Sequence, residues 1–215
     1  MYSNAARSMG TPRKLTRKES QDVTRERLLE SARRCVARNG YDGSSVDRIA
    51  EDAGFSKGAF YSNFDSKESI LLEILAGHHA HYIADLRAII DAATSADELS
   101  AALERCGAIR NSEPEWASLN NELQFHAKRN ARFRPKYEDY FRRYREALAE
   151  LIALRFEKVG RKPPAPADVL ASVLIALADG LALQRALTNP AAPEITGTML
   201  GLVSDGWVAI AAPIR

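Results

Sequence analysis

Cysteine is almost absent. Cys35 and Cys106 are the only two in 215 residues, too far apart for a metal-ligand spacing or a disulfide framework. They read as reduced thiols of a cytosolic protein, with Cys35 on the apolar side of a helix. No apolar run follows the N-terminus, so no secretory signal is expected. The longest apolar stretch, Val169 to Leu183, is broken by Asp179 and reads as too short for a membrane span, so no membrane partner is expected. A large charge of either sign is missing too: a net of +2 argues neither for nor against nucleic acid. No glycine-rich phosphate loop, nucleophile–base pairing or metal-ligand spacing stands out, which leaves an enzyme unsupported and no cofactor expected. The nearest approach is His78, His79 and His81. On a helix His78 and His81 share a face, but no further ligand is identifiable, and no metal site is assigned.

What the chain does have is size, apolar content and an uneven spread of charge. Its 215 residues, 46% of them hydrophobic, suffice for one large or two small domains with a sizeable core. Residues 1–67 hold 13 Lys+Arg against 9 Asp+Glu, whereas the other 148 hold 17 against 19. A basic N-terminal third on a mildly acidic remainder suits phosphate binding at one end.

The stretch from Ser44 to Lys67 organises the chain. Val46, Ile49, Ala50 and Ala53 follow the i, i+3, i+4, i+7 spacing of one helix face. Ser45 is placed as N-cap, since its hydroxyl can accept from the open amides of a first turn. Gly54 suits the end, where a residue without Cβ can take positive φ. Ser56 then caps a second short helix with Phe60 and Phe64 on its buried side. Two helices joined by a short glycine-containing turn form a helix-turn-helix. The second helix leaves Lys57, Gly58, Ala59, Tyr61, Ser62 and Asn63 outside. Small residues let its backbone approach a surface, and Lys57, Asn63 and Tyr61 offer donors, which suits a DNA major groove.

Residues Thr24 to Leu72 resemble the N-terminal domain of the tetracycline-repressor (TetR) family of transcriptional regulators. The resemblance rests on Arg-Leu-Leu-Glu-Ser-Ala (27–32), Asn-Gly-Tyr (39–41), Ser-Val-x-x-Ile-Ala-x-x-Ala-Gly-Phe-Ser-Lys-Gly-Ala-Phe-Tyr-x-x-Phe (45–64) and Ser-Lys-Glu (66–68). One departure is Asn63, where the family often has His or another aromatic. The resemblance implies an all-α protein in which a three-helix DNA-binding unit precedes a larger helical domain for ligand binding and dimerisation. It also makes Thr24 and Arg25, at the start of the first helix, minor candidates for backbone contact. Ser45, Tyr61 and Lys67 are expected to hold phosphates. Ser56 caps the reading helix, and Lys57, Gly58, Ala59 and Asn63 are expected to face base edges.

The chain divides accordingly into a disordered basic arm (1–20), a helix-turn-helix domain (21–67) and a ligand-binding and dimerisation domain (68–215). Helices are expected at Thr24–Asn39 and from Ser66 to about Ala92, the latter behind an Asp65–Glu68 capping box. Ser95 with Glu98 starts another, which runs to about Ile109. Ser112 and Pro114 start the next, and Pro135 opens a long one to about Val159. The proline-rich stretch 161–166 is a loop. Asp168 to Leu187 and Pro193 to about Ile210 follow, with more apolar and small surface than one face of a monomer uses. These two read as the interface of a homodimer, two helices from each subunit about a two-fold axis. Trp116, Asn120, Leu123, His126, Tyr137, Tyr140 and Tyr144 are the expected lining of a small-molecule pocket. Aromatic walls with a few polar groups make such pockets, although the same residues also make an ordinary core. The function expected is a cytoplasmic, ligand-responsive homodimeric repressor of an inverted-repeat DNA operator. The alternative is a DNA-binding regulator or activator without an effector.

Overall fold

The computed structural model describes residues 16–110, 114–188 and 196–213. Among them the regular structure is helical, apart from one isolated antiparallel bridge between Arg161 and Pro213. The helices are α1 (Arg17–Gly43), α2 (Val46–Asp52), α3 (Lys57–Tyr61), α4 (Lys67–Ala92), α5 (Ala96–Arg110), α6 (Pro114–Arg129), α7 (Arg134–Lys158), α8 (Ala167–Thr188) and α9 (Thr196–Ile210).

Side-chain caps set most of the described starts. The Thr16 hydroxyl accepts from the Glu19 amide at 3.2 Å while the Glu19 carboxylate accepts from the Thr16 amide at 2.7 Å. That reciprocal box starts α1 seven residues before the expected Thr24, so 17–20 are helix rather than arm, and residues 1–15 lie outside the described ones. Ser45 Oγ accepts from the Arg48 amide and Ser56 Oγ from the Ala59 amide, each at 3.2 Å, as their positions suggest. Between them Gly54 takes φ +76°, which makes the tight turn possible. At α4 the cap is Ser66, accepting from Ser69. The expected Asp65–Glu68 box does not form, because Glu68 accepts from the Tyr41 hydroxyl (3.2 Å) and Asp65 from Lys136 Nζ (2.7 Å). Ser95 caps α5 as expected, with the Glu98 carboxylate folded back on Thr94. Ser112, proposed at the start of α6, and Pro193, proposed at the start of α9, lie outside the described residues, as does the Cys106 side chain.

Two apolar clusters hold the chain together. The first joins Leu28, Ala32 and Val36 of α1, Ile49 of α2, Phe60 of α3 and Ile70, Leu71, Ile74 and Leu75 of α4 to Leu119 and Leu123 of α6 and Tyr137 and Tyr140 of α7. It also encloses Cys35, a buried free thiol. The helix-turn-helix unit therefore shares its core with the following domain. The second cluster joins Leu86 and Ile90 of α4, Leu99 of α5, Leu148 to Phe156 of α7 and Leu170 to Ile175 of α8. Helices α4 and α7 run through both. Lys158 Nζ donates to the carbonyls of Ile90 and Asp91, closing the C-terminal end of α4 with a cation. The loop 161–166 is irregular, as its prolines require, and Arg161 ties it to the Ala211 carbonyl (2.7 Å).

The most apolar helix corrects an expectation. Ala167–Arg185 is long and apolar enough to cross a membrane by length and composition, because alanines and leucines outweigh its few charges, Asp179 among them. Asp179 instead accepts from Asn120 Nδ2 at 2.9 Å, which fastens α8 to α6. Only 17% of the residues of that stretch are buried within one chain.

The neighbours Phe60 and Tyr61 are 0% and 52% exposed. Phe60→Ala is expected to cost about 3–5 kcal/mol and Tyr61→Ala no more than about 0.5 kcal/mol in urea unfolding; comparable losses would contradict this core.

Candidate nucleic-acid interface and internal cavity

Helix α3 is held from behind by Phe60 and Phe64, whose rings meet at 5.7 Å. Its outer side carries exposed Lys57, Gly58 and Tyr61, with Ala59 half-buried. The half-exposed Tyr61 ring stands edge-on to Phe60. A Cβ at Gly58 would touch only Ser56 Oγ, at an ordinary 3.6 Å, so the fold does not demand glycine there. What glycine supplies is close approach of the α3 backbone to another surface. Lys57 Nζ lies 2.9 Å from Asp47 on α2, and this hydrogen bond raises its pKa. The pair is exposed and exchanges readily for a stronger anion. Ser45 and Ser56 are spent as caps, and Ser45 remains exposed at the end of α2.

Three expectations change. Asn63 does not project outward: Nδ2 donates to the Ala59 carbonyl at 2.8 Å, and Oδ1 is buried without a hydrogen-bond partner. It finishes α3 from inside, because a short amide side chain reaches its own turn more easily than a distant ligand. Lys67 Nζ donates to the Tyr41 carbonyl at 2.7 Å and lies 3.8 Å from the centre of its ring. Burial lowers its pKa, and two ammonium hydrogens remain for a phosphate. Arg25 turns inward, donating to the Asn63 carbonyl (2.8 Å), pairing with Glu73 and covering the Phe64 ring at 4.3 Å. It is a strut joining α1, the α3–α4 turn and α4. Thr24 bonds back to the Ser20 carbonyl.

The expected pocket lining mostly forms core. Leu123 is 0% exposed and Tyr137 5%. Tyr137 donates its hydroxyl to Asn120 Oδ1 (3.0 Å), Trp116 stacks on His78 (4.1 Å) and His126 meets Phe133 edge-on. The Tyr140 hydroxyl is hydrogen-bonded to His79, whose ring also stacks on Tyr144. Rings at this spacing satisfy each other; Tyr140 and His126 also border open cavities of about 510 and 210 Å³ beside Asp65 and Ser69. Glu122, which would favour an amine if inward, is exposed. Among the described residues no group of three or more His, Cys, Asp and Glu is placed to hold a metal ion.

A cavity of about 120 Å³ does exist, one layer further from α3, among α4, α5, α7, α8 and α9. Of the seven expected residues only Tyr144 borders it. Its walls are apolar except chiefly at one end, where Arg155 of α7 meets Ser100 of α5 and Asp205 of α9. Arg155 continues the apolar face Leu148, Leu151, Ile152; a charge within such a stripe was the overlooked signal.

Residues 28–74 match the description "Bacterial regulatory proteins, tetR family", and residues 95–200 match "BetI-type transcriptional repressor, C-terminal". The HTH-type transcriptional repressor AcnR of Corynebacterium efficiens is 30% identical over 181 residues, spanning 84% of this chain and 90% of that protein. The chain belongs to the TetR family. It is a transcriptional repressor of that family, with a DNA-binding helix-turn-helix, and not an enzyme. The crystal structure of a regulator from Rhodococcus sp. RHA1 superposes with a TM-score of 0.72 at 16% identity, covering 87% of this chain and 96% of that one. A regulator from Saccharomonospora viridis, solved in complex with choline, gives 0.62 at 25% identity, covering 90% and 100%.

Replacing Arg25 by Ala is expected to cost about 1 kcal/mol in chemical unfolding, through loss of a half-exposed ion pair and a ring contact. No measurable change would show that the strut carries no weight.

Proposed function

We propose that this TetR-family repressor acts in the cytoplasm as a homodimer, binds an inverted-repeat operator and is released by a small molecule in its C-terminal domain. The observation that carries the DNA-binding half is the outer side of α3, where Lys57, Gly58 and Tyr61 stand clear beside half-buried Ala59 while Phe60 anchors the helix. Lys57, Gly58 and Ala59 face base edges. Tyr61, the exposed Ser45 and the remaining hydrogens of Lys67 hold phosphates and set register. Asn63 supports α3 from within and reads no base.

Support for the homodimer comes from α8 and α9. Val169, Val173, Ala176, Gly180 and Leu183 recur at alternating spacings of four and three, and the three large members are 48%, 45% and 43% exposed. That is the spacing of a helix seam. Leu202 and Ile210 of α9 are 61% and 74% exposed. A two-fold axis through these helices would cover both stripes and face this apolar helix to its own copy rather than to lipid. The two α3 helices would then enter successive major grooves about 34 Å apart.

The effector site in this reading is the cavity beneath α4. A bound relative exists in the choline complex, so the fold accommodates a ligand elsewhere in the family. Helix α4 borders the cavity with Tyr82, Leu86 and Ile90 and sits under α1 and α3 with Ile70 to Leu75. A ligand that fits one tilt of α4 better than another changes the spacing of the reading helices. Weakening operator binding a hundredfold takes about 2.7 kcal/mol of differential affinity.

Val173→Glu places like charges across the seam and is expected to give monomers by sedimentation, with specific operator binding lost; an intact dimer would remove α8 from the interface. Lys67→Ala is expected to weaken binding to all duplexes alike and to reduce the salt slope by about one, measured by fluorescence anisotropy. An unchanged slope would mean that Lys67 serves Tyr41 only.

A further inference from the structure

The polar end of the cavity is built around a cation. Arg155 is 6% exposed, although it lies among leucines and isoleucines. Its Nη2 donates to Ser100 Oγ at 3.3 Å and pairs with Asp205. Its Nε is buried and has no hydrogen-bond partner. Asp205, the counter-ion, stands on α9 with its side chain 48% exposed. So a guanidinium is kept in an apolar wall beside empty volume, with a half-solvated carboxylate as neighbour. An Arg fork binds a carboxylate best through two parallel N–H bonds. Asp205 is held through Nη2, without the second parallel bond of that fork.

We infer that the cavity is a carboxylate site: it takes a small apolar carboxylic acid as its anion, headgroup on Arg155 and chain among the leucines of α4, α5 and α7. This rests on the reading that the cavity holds the effector, and it names the effector's chemistry. The entering carboxylate competes with Asp205 for the guanidinium. No bond is made or broken; one counter-ion replaces another. A cation is disfavoured, because it would sit beside a buried positive charge whose counter-ion, Asp205, is already engaged. Size follows from volume. At about 10–15 Å³ of free volume per water-sized group, the cavity holds roughly ten non-hydrogen atoms. Release of Asp205 loosens α9 from α7, and the chain presses on the α4 wall at Leu86 and Ile90. Both helices belong to the parts that set the spacing of the reading heads.

Three probes of one chain length separate the possibilities: octanoate, octanol and octylammonium, titrated into full-length protein by calorimetry, with operator affinity followed in parallel. Octanoate is expected to bind at least about tenfold more tightly than octanol, and octylammonium not to saturate. Arg155→Lys keeps the charge without the fork and is expected to weaken octanoate about tenfold. Asp205→Asn removes the competitor and keeps the guanidinium, so octanoate binding should tighten about tenfold. It is the deciding variant if changes at Arg155 disturb folding. Equal binding of octanoate and octanol, a preference for octylammonium, or octanoate affinity unchanged or weakened in Asp205→Asn would overturn the inference. The two readings fail separately. Octanoate that binds as described without altering operator affinity upholds the carboxylate site and removes only its role as effector site. Operator release by octanol or octylammonium without an octanoate preference leaves the effector role standing and removes the carboxylate.

Discussion

The apolar face of α4 is the constraint on which the rest of the molecule depends. Ile70, Leu71, Ile74 and Leu75 are fully buried beneath α1, α2 and α3, and Leu86 and Ile90 are buried about three to four turns later against α5 and α7. A helix rises about 1.5 Å per residue, so the first cluster and the second are held some 20–30 Å apart by one rigid rod. The DNA-reading unit has no separate core in which to rotate. Phe60 packs in the same cluster as Leu119, Leu123 and Tyr137. Any displacement of α4 at the cavity is therefore felt at α3, and any fixed placement of α3 restricts α4.

Around that rod, polar contacts do the locating and apolar contacts supply the stability. Arg25 reaches from α1 to the α3–α4 turn and to Glu73, Lys67 closes α4 onto the Tyr41 carbonyl, and Lys136 reaches from α7 to Asp65. Each links the helix-turn-helix to a neighbour on one side or the other. None is deeply buried, and the sum of such pairs is modest beside the burial of the isoleucines and leucines. Their effect is to choose one register of the reading head on its support. The Arg155–Asp205 pair has the same form at the other end of the molecule, joining α7 to α9, but there the cation is buried and the neighbouring space is open.

Local chemistry was legible in the amino-acid order. Ser45, Ser56 and Gly54 show their roles because a hydroxyl before an apolar-periodic run, and a glycine after one, act on the backbone within four residues. The same rule applied to Thr16 and Glu19 would have found the true start of α1; the lack of apolar periodicity there hid it. Long-range placement was less legible. Tyr140 and Trp116 were expected around a ligand and instead stack on His79 and His78, while Tyr137 donates to Asn120, because an aromatic surface is equally satisfied by a ring or a guest. Asn63 was expected to point out, and a donor in its own turn drew it in. Arg155 gave the clearest unused clue, a charge where the helix period calls for leucine.

Operator recognition as proposed requires two copies of α3 presented side by side. Hydroxyl-radical footprinting of full-length protein, on duplexes selected from a random pool, tests this most directly. It predicts two equal protected half-sites of inverted sequence, their centres about 10–10.5 base pairs or a multiple apart on one face of the duplex. A single protected half-site, or protection without inverted symmetry, would contradict it.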